Sequence, residues 1–129
     1  MTAKEAIRQG KTALGIEFGS TRIKAVLIDG AGKVLAVGIY DWENSFENGI
    51  WTYHLDEIYN GLHHCYHVLK QSVKEQYGLT LTRVGSIGIS AMMHGYMAFD
   101  AKGQLLATVQ TWRNTCTQDA SDCLHVSCD

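Results

Sequence analysis

No proline occurs in the 129 residues, so no ring-fixed turn or proline kink interrupts any element; the absence has no further physical account. An excess of one charge is also missing. Lys and Arg number 11 against 13 Asp and Glu, and the net charge of −2 gives no electrostatic reason to expect a nucleic acid or an anionic membrane as partner. No apolar run approaches the roughly 18 residues that a bilayer-crossing helix needs. The N-terminus is polar through Lys11 and lacks the apolar block of a secretory signal, so the cytoplasm is the expected location. Cysteine is sparse. Of the four, Cys65 stands alone while Cys116, Cys123 and Cys128 crowd into the tail, unlike the spread of a secreted disulfide framework.

What is present suits one ordinary domain, with 46% apolar and 19% charged residues and enough length to bury a core. The most informative stretch is Leu14 to Asp29, two apolar strands flanking a Gly-Ser-Thr turn with an acidic residue just before it. Gly19 has backbone freedom that lets the turn bend sharply and bring an anion close. The amides of Gly19, Ser20 and Thr21, with two hydroxyls, then form a small nest for phosphate. Glu17 is positioned to hold a hydrated metal ion accompanying it. A Walker-type loop is excluded, because a second strand follows the turn where a helix would be.

Residues 1–11 read as a polar lead-in with at most a turn of helix. Residues 12–18, 23–29 and 33–40 read as three strands of an antiparallel meander. The second and third carry apolar residues on both faces, as in the middle of a sheet covered on both sides. Asp29-Gly-Ala-Gly32 closes its hairpin with the third. Residues 41–53 read as irregular. A helix is expected over 55–77, with Leu55, Ile58, Tyr59, Leu62, Tyr66, Leu69 and Val73 as its apolar stripe and Gly78 as its stop. Val84 to Ser90 reads as a buried strand, Tyr96 to Phe99 and Thr108 to Trp112 as further strands. Asp100-Ala-Lys-Gly103 repeats the turn chemistry of Asp29 to Gly32, a generic turn solution. Three strands, a long helix, a strand and a further hairpin fit the opening of a ribonuclease-H-like α/β fold better than a doubly wound one.

A second constellation is Ser90-Ala-Met-Met-His-Gly95, directly after a strand, where α/β folds present binding residues. An imidazole there can hydrogen-bond a hydroxyl-rich ligand, and thioethers can pack on the apolar face of a sugar. His63 and His67 share a helical face but read as solvated. A zinc site from Cys116, Cys123, His125 and Cys128 lacks the short paired knuckles of structural sites, and the tail shows no convincing amphipathic pattern.

Taken together, three motifs in register resemble the N-terminal part of the FGGY carbohydrate kinases, the xylulokinase-like group above all, within the actin-like ATPases. They are Glu17-Phe-Gly-Ser-Thr21 for the family's Asp-Leu-Gly-Thr-Ser hairpin, Ser90-Ala-Met-Met-His94-Gly95 for its Gly-Gln-Met-His-Gly loop, and Trp112-Arg113-Asn114 for its Trp-Arg-Asp turn. The resemblance spans about residues 12–115, leaving 1–11 as lead-in and 116–129 as an atypical tail. It implies an incomplete actin-like domain, a mixed sheet with an antiparallel three-strand meander and flanking helix. It implies transfer of the γ-phosphate of ATP to a hydroxyl of a pentulose or related sugar. Gly19, Ser20 and Thr21 would face the phosphate with Lys24 nearby. Met93 and His94 would contact the sugar, Trp112, Arg113 and Asn114 would border it, Trp51 is a weaker contact, and Glu17 would act near Mg²⁺. Glu17 departs from the family's aspartate by one methylene.

The family's general-base aspartate is expected beyond residue 129, so the chain alone is expected to be inactive. Two rivals stand: a glycerol- or gluconate-type kinase or other actin-like ATPase, and a remnant or partner-binding domain without catalysis. An apolar face left bare would predict self-association.

Overall fold

The computed structural model describes residues 1–126, which form α1 (Ala3–Gln9), β1 (Thr12–Phe18), β2 (Arg22–Asp29), β3 (Val34–Asp41), β4 (Ser45–Glu47), β5 (Ile50–Thr52), α2 (Leu55–Tyr77), β6 (Ser86–Ala91) and α3 (Gln118–Val126). The lead-in is a real helix. Thr2 caps it through the Glu5 amide, and the Glu5 carboxylate returns to the Thr2 amide, a reciprocal pair whose Thr-x-x-Glu spacing is present in the sequence. The hydrogen bonds from Thr2 hold the Glu5 carboxyl below its usual range. Ile7 of this helix is buried in the common core.

The main sheet runs β3-β2-β1-β6, with β1, β2 and β3 antiparallel and β6 parallel to β1. Asp29 shapes the β2–β3 turn by accepting from the Ala31 and Lys33 amides, each at 2.9 Å, while Gly32 takes φ 82°. Asp100 repeats the device, accepting from Lys102 and Gln104 at 2.8 Å, with Gly103 at φ 77°. The sequence echo is thus one turn used twice.

Helix α2 packs on β2 and β3. Its buried residues are Gly61, Cys65, Leu69 and Val73, set against Ile23, Ala25 and Leu27 of β2. Leu69 and Val73 of the expected stripe are fully buried and Ile58 and Tyr66 pack against the core, but Tyr59 is 55% exposed, while Cys65, outside the stripe, is fully buried with its thiol 2.9 Å from the Gly38 carbonyl. Two glycines explain the difference. A Cβ on Gly38 would meet the Cys65 carbonyl oxygen, and one on Gly61 would meet the Tyr40 and Ile23 side chains. The helix therefore turns its smallest residues toward the sheet and comes closer than a Leu-lined face allows.

Other expectations need correction. Residues 41–53 are not wholly irregular: β4 and β5 form a hairpin over Asn48 and Gly49, both at positive φ, the dipeptide that two-residue turns favour. Strand β6, expected to be buried, is exposed at every residue, because among the described residues it pairs with β1 alone. The second face of β2 is likewise only half covered. Residues 96–99 and 108–112 form no ladder, only the bridges Tyr96↔Gln110 and Phe99↔Leu105. Two residues separate those bridges on one side and four on the other, so pairing cannot run continuously between them. The tail, whose sequence shows no convincing amphipathic pattern, nonetheless forms α3.

Candidate functional site

Between β1 and β2 the Gly19 amide donates to the Arg22 carbonyl at 2.9 Å, closing the turn and removing that amide from any anion nest. Gly19 is not in the left-handed region; glycine is favoured because a Cβ would lie 3.0 Å from the Arg22 oxygen. The next feature is a row of carbonyls held from behind. Trp42 Nε1 donates to the Gly19 oxygen at 2.8 Å, Tyr53 Oη to the Ser20 oxygen at 2.6 Å, and the Trp42 amide to the Thr21 oxygen at 3.1 Å. In a trans peptide the carbonyl and the following N–H point opposite ways, so the Ser20 and Thr21 amides turn outward. Neither these amides nor the two hydroxyls has a partner among the described residues, and both residues are exposed. Trp42 and Tyr53 stack at 4.4 Å and are buried. Burial raises the Tyr53 pKa, which keeps its hydroxyl a donor.

The loop after β6 comes to the same place. The Met92 amide donates to the Phe18 carbonyl at 3.2 Å, and the Met92 sulfur lies 3.8 Å from the Tyr53 hydroxyl. Tyr53 thus touches both loops. Beside it opens a cavity of about 330 Å³, lined by Phe18, Trp42, Tyr53, Met92, Met93 and Trp112 among others. His94 sits between two lining residues, Met93 and Gly95, but does not itself line the cavity; it is exposed and takes φ 62°. That left-handed backbone is strained for a residue with a Cβ.

Residues 12–128 match the FGGY family of carbohydrate kinases, N-terminal domain. The chain belongs to the FGGY family. The fold of this FGGY domain is that of solved kinases. A xyloylose kinase from Brucella ovis aligns with 20% identity and TM-score 0.74 over 90% of this chain and 24% of its own. Gluconate kinase from Lactobacillus acidophilus gives 20% and 0.74 over 90% and 22%. Plasmodium falciparum glycerol kinase with ADP gives 16% and 0.70 over 88% and 22%. The chain therefore spans about a quarter of the length of these relatives. Comparison with curated proteins by sequence returned no match. The mixed α/β, actin-like architecture read from the sequence is the one observed.

Within the FGGY domain, Glu17 pairs in register with Lys24 on one side and Ser90 on the other. All three lie on the sheet face opposite α2, lining a shallow groove with Gly15 and Gly88. No ion pair links Glu17 and Lys24 among the described residues. The Arg113 guanidinium lies over Trp51 at 5.0 Å and Trp112 at 5.5 Å and donates to Asn44 at 3.4 Å. Asn114 accepts from the Trp51 amide at 2.8 Å and donates to the Trp51 carbonyl at 2.7 Å, clamping β5 to the 112–114 turn. Its side chain is thereby engaged with backbone, and neither it nor Arg113 lines the cavity. His63, His64 and His67 are exposed on α2. No group of three or more metal-ligating residues occurs among the described residues. Cys116 and Cys123 are exposed; Cys128 and the side chain of His125 lie outside the described residues. Sequence reasoning missed the supporting roles of Trp42 and Tyr53, which no local pattern signals because each acts on a turn over 20 residues away.

Proposed function

We propose that this FGGY domain forms one wall of a kinase site in which the γ-phosphate of ATP passes to a hydroxyl of a sugar, a pentulose or close relative, in the cytoplasm. The observation that carries the proposal is the Tyr53 hydroxyl, bonded to the Ser20 carbonyl and in contact with Met92, which joins the anion-facing turn and the His94 loop in one wall. The free donors of Ser20 and Thr21 suit phosphate oxygens, with Lys24 adding charge from the neighbouring strand. ATP supplies the transferable group, and a Mg²⁺ ion bound to it would be met through water by Glu17, which shares a sheet face with Lys24. Met93 and Trp112 offer apolar surface to a sugar ring and His94 a hydrogen-bonding group, with Arg113 and Asn114 fixing the border. Trp51 contributes through the Arg113 stack.

The choice of a pentulose over gluconate or glycerol rests on Met93-His94; solved relatives of all three kinds share the fold at 16–20% identity. The test is an NMR titration of the domain with xylulose, gluconate, glycerol and MgATP. MgATP is expected to shift the Ser20 and Thr21 amides and xylulose the Met93 methyl, with the xylulose response lost in His94→Ala. Shifts in neither loop, or the same shifts for all three polyols, would overturn the reading.

A further inference from the structure

The first turn has two free amides, and two aromatic side chains stand behind them, one apiece. A carbonyl and the next residue's N–H share one rigid peptide plane, so a donor that holds the oxygen also sets the direction of that N–H. Trp42 Nε1 holds the Gly19 oxygen and with it the Ser20 amide, while Tyr53 Oη holds the Ser20 oxygen and with it the Thr21 amide. The next plane, between Thr21 and Arg22, is held by the Trp42 backbone amide and needs no side chain. The Tyr53 hydroxyl is the only partner of the Ser20 oxygen among the described residues. It has one proton to give and two neighbours, and the Ser20 oxygen at 2.6 Å takes it in preference to the Met92 sulfur at 3.8 Å. Neither ring is free to swing away. Trp42 is 5% and Tyr53 3% exposed, and the two stack at 4.4 Å where β3 and β5 end.

We infer that Trp42 and Tyr53 are positioning residues for the phosphate, Trp42 aiming the Ser20 amide and Tyr53 the Thr21 amide, each through its own peptide plane. The inference rests on the proposed phosphate site at this turn. Both side chains act from behind the turn, on carbonyls that point away from the donors, so neither touches the phosphate itself. An exposed turn without such props can rotate a peptide plane, and an amide that must be re-aimed loses part of its binding energy to that ordering. Held in place beforehand, the donors meet phosphate oxygens without reorganisation. Both rings also line the cavity beside the turn. The surface offered to the sugar is therefore the one that aims the phosphate donors, which keeps the two in register.

The experiment compares wild type, Tyr53→Phe and Trp42→Phe by NMR, first without ligand and then in titrations with MgATP and with xylulose. Each substitution keeps an aromatic ring and removes the donor. Without ligand, Tyr53→Phe is expected to bring microsecond-to-millisecond exchange to the Thr21 amide and leave the Ser20 amide sharp, and Trp42→Phe to do the reverse. MgATP affinity is expected to fall about fivefold in Tyr53→Phe, the worth of one ordinary hydrogen bond, while xylulose affinity stays within about twofold. A role in stability alone loosens both amides in either variant, and that pattern overturns the inference, as do two amides that stay sharp throughout. Equal MgATP affinity in wild type and Tyr53→Phe overturns it as well. A wild-type domain that ignores MgATP overturns the proposed function and the phosphate role together, whereas failure of the inference alone leaves the wild-type response intact. If a variant does not fold, the wild type decides: the Tyr53 hydroxyl and Trp42 indole protons are expected to exchange slowly with water, and rapid exchange of either overturns the inference.

Discussion

Gly38 and Gly61 let α2 approach the sheet at a distance that no residue with a side chain permits. A Cβ on Gly38 would fall inside the contact radius of the Cys65 carbonyl oxygen, which belongs to helix backbone and cannot rotate away. Gly38→Ala is expected to destabilise the domain by about 3 kcal/mol, the upper range of overpacking, read from a urea midpoint. His94 presents the opposite case, a side chain on a backbone that prefers glycine at φ 62°. His94→Gly is expected to be more stable than His94→Ala by about 1 kcal/mol, because only glycine takes left-handed angles without strain. Thermal melts of the two variants compare them directly. Both glycine contacts arise between residues more than 20 positions apart, and the strain at His94 is equally invisible in a run of letters. By contrast, the Gly78 stop at φ 68° was legible, since it follows from local periodicity alone.

At the scale of elements, the β4–β5 hairpin is tied to the start of α2 by His54 and Glu47, whose Nε2 and Oε1 lie 2.8 Å apart. The hydrogen bond to Glu47 raises the His54 pKa above its ordinary 6.5, with the carboxylate's charge adding to the effect. The tie is therefore complete below pH about 6.5 and is lost as pH rises through the higher folded-state value. The Trp51 indole resonance, from the ring 4.9 Å from Phe46 in the same hairpin, is expected to titrate in that window. Glu47→Gln should abolish most of the change. The hairpin was read as irregular chain and α1 as a lead-in, although Asn48-Gly49 and the Thr2–Glu5 pair carry local turn and cap signals for them. Strands at 96–99 and 108–112 misled for the converse reason: their residues suit strands, but strand formation depends on a partner in register, and the two bridges disagree.

For the whole molecule, the proposed function makes the cavity beside Tyr53 one side of a larger site, and the chain spans about a quarter of the length of its solved relatives. Phosphoryl transfer depends on positioning and charge stabilisation from several directions at once. The isolated domain is expected to release no ADP in response to a sugar in a coupled assay, even where it binds sugar or MgATP. The sequence by itself determined the meander, the long helix, the two Asp-capped turns and the order of three motifs, because each rests on spacing within a few residues. Only the tertiary structure decided which donors of the first turn stay free. Trp42 and Tyr53 take its carbonyls from one side, so its amides must face the other. Burial also belonged to tertiary structure alone. Ile87 and Ile89 are apolar in any reading, but whether a strand is covered depends on what packs against it, and among the described residues β6 pairs with β1 alone.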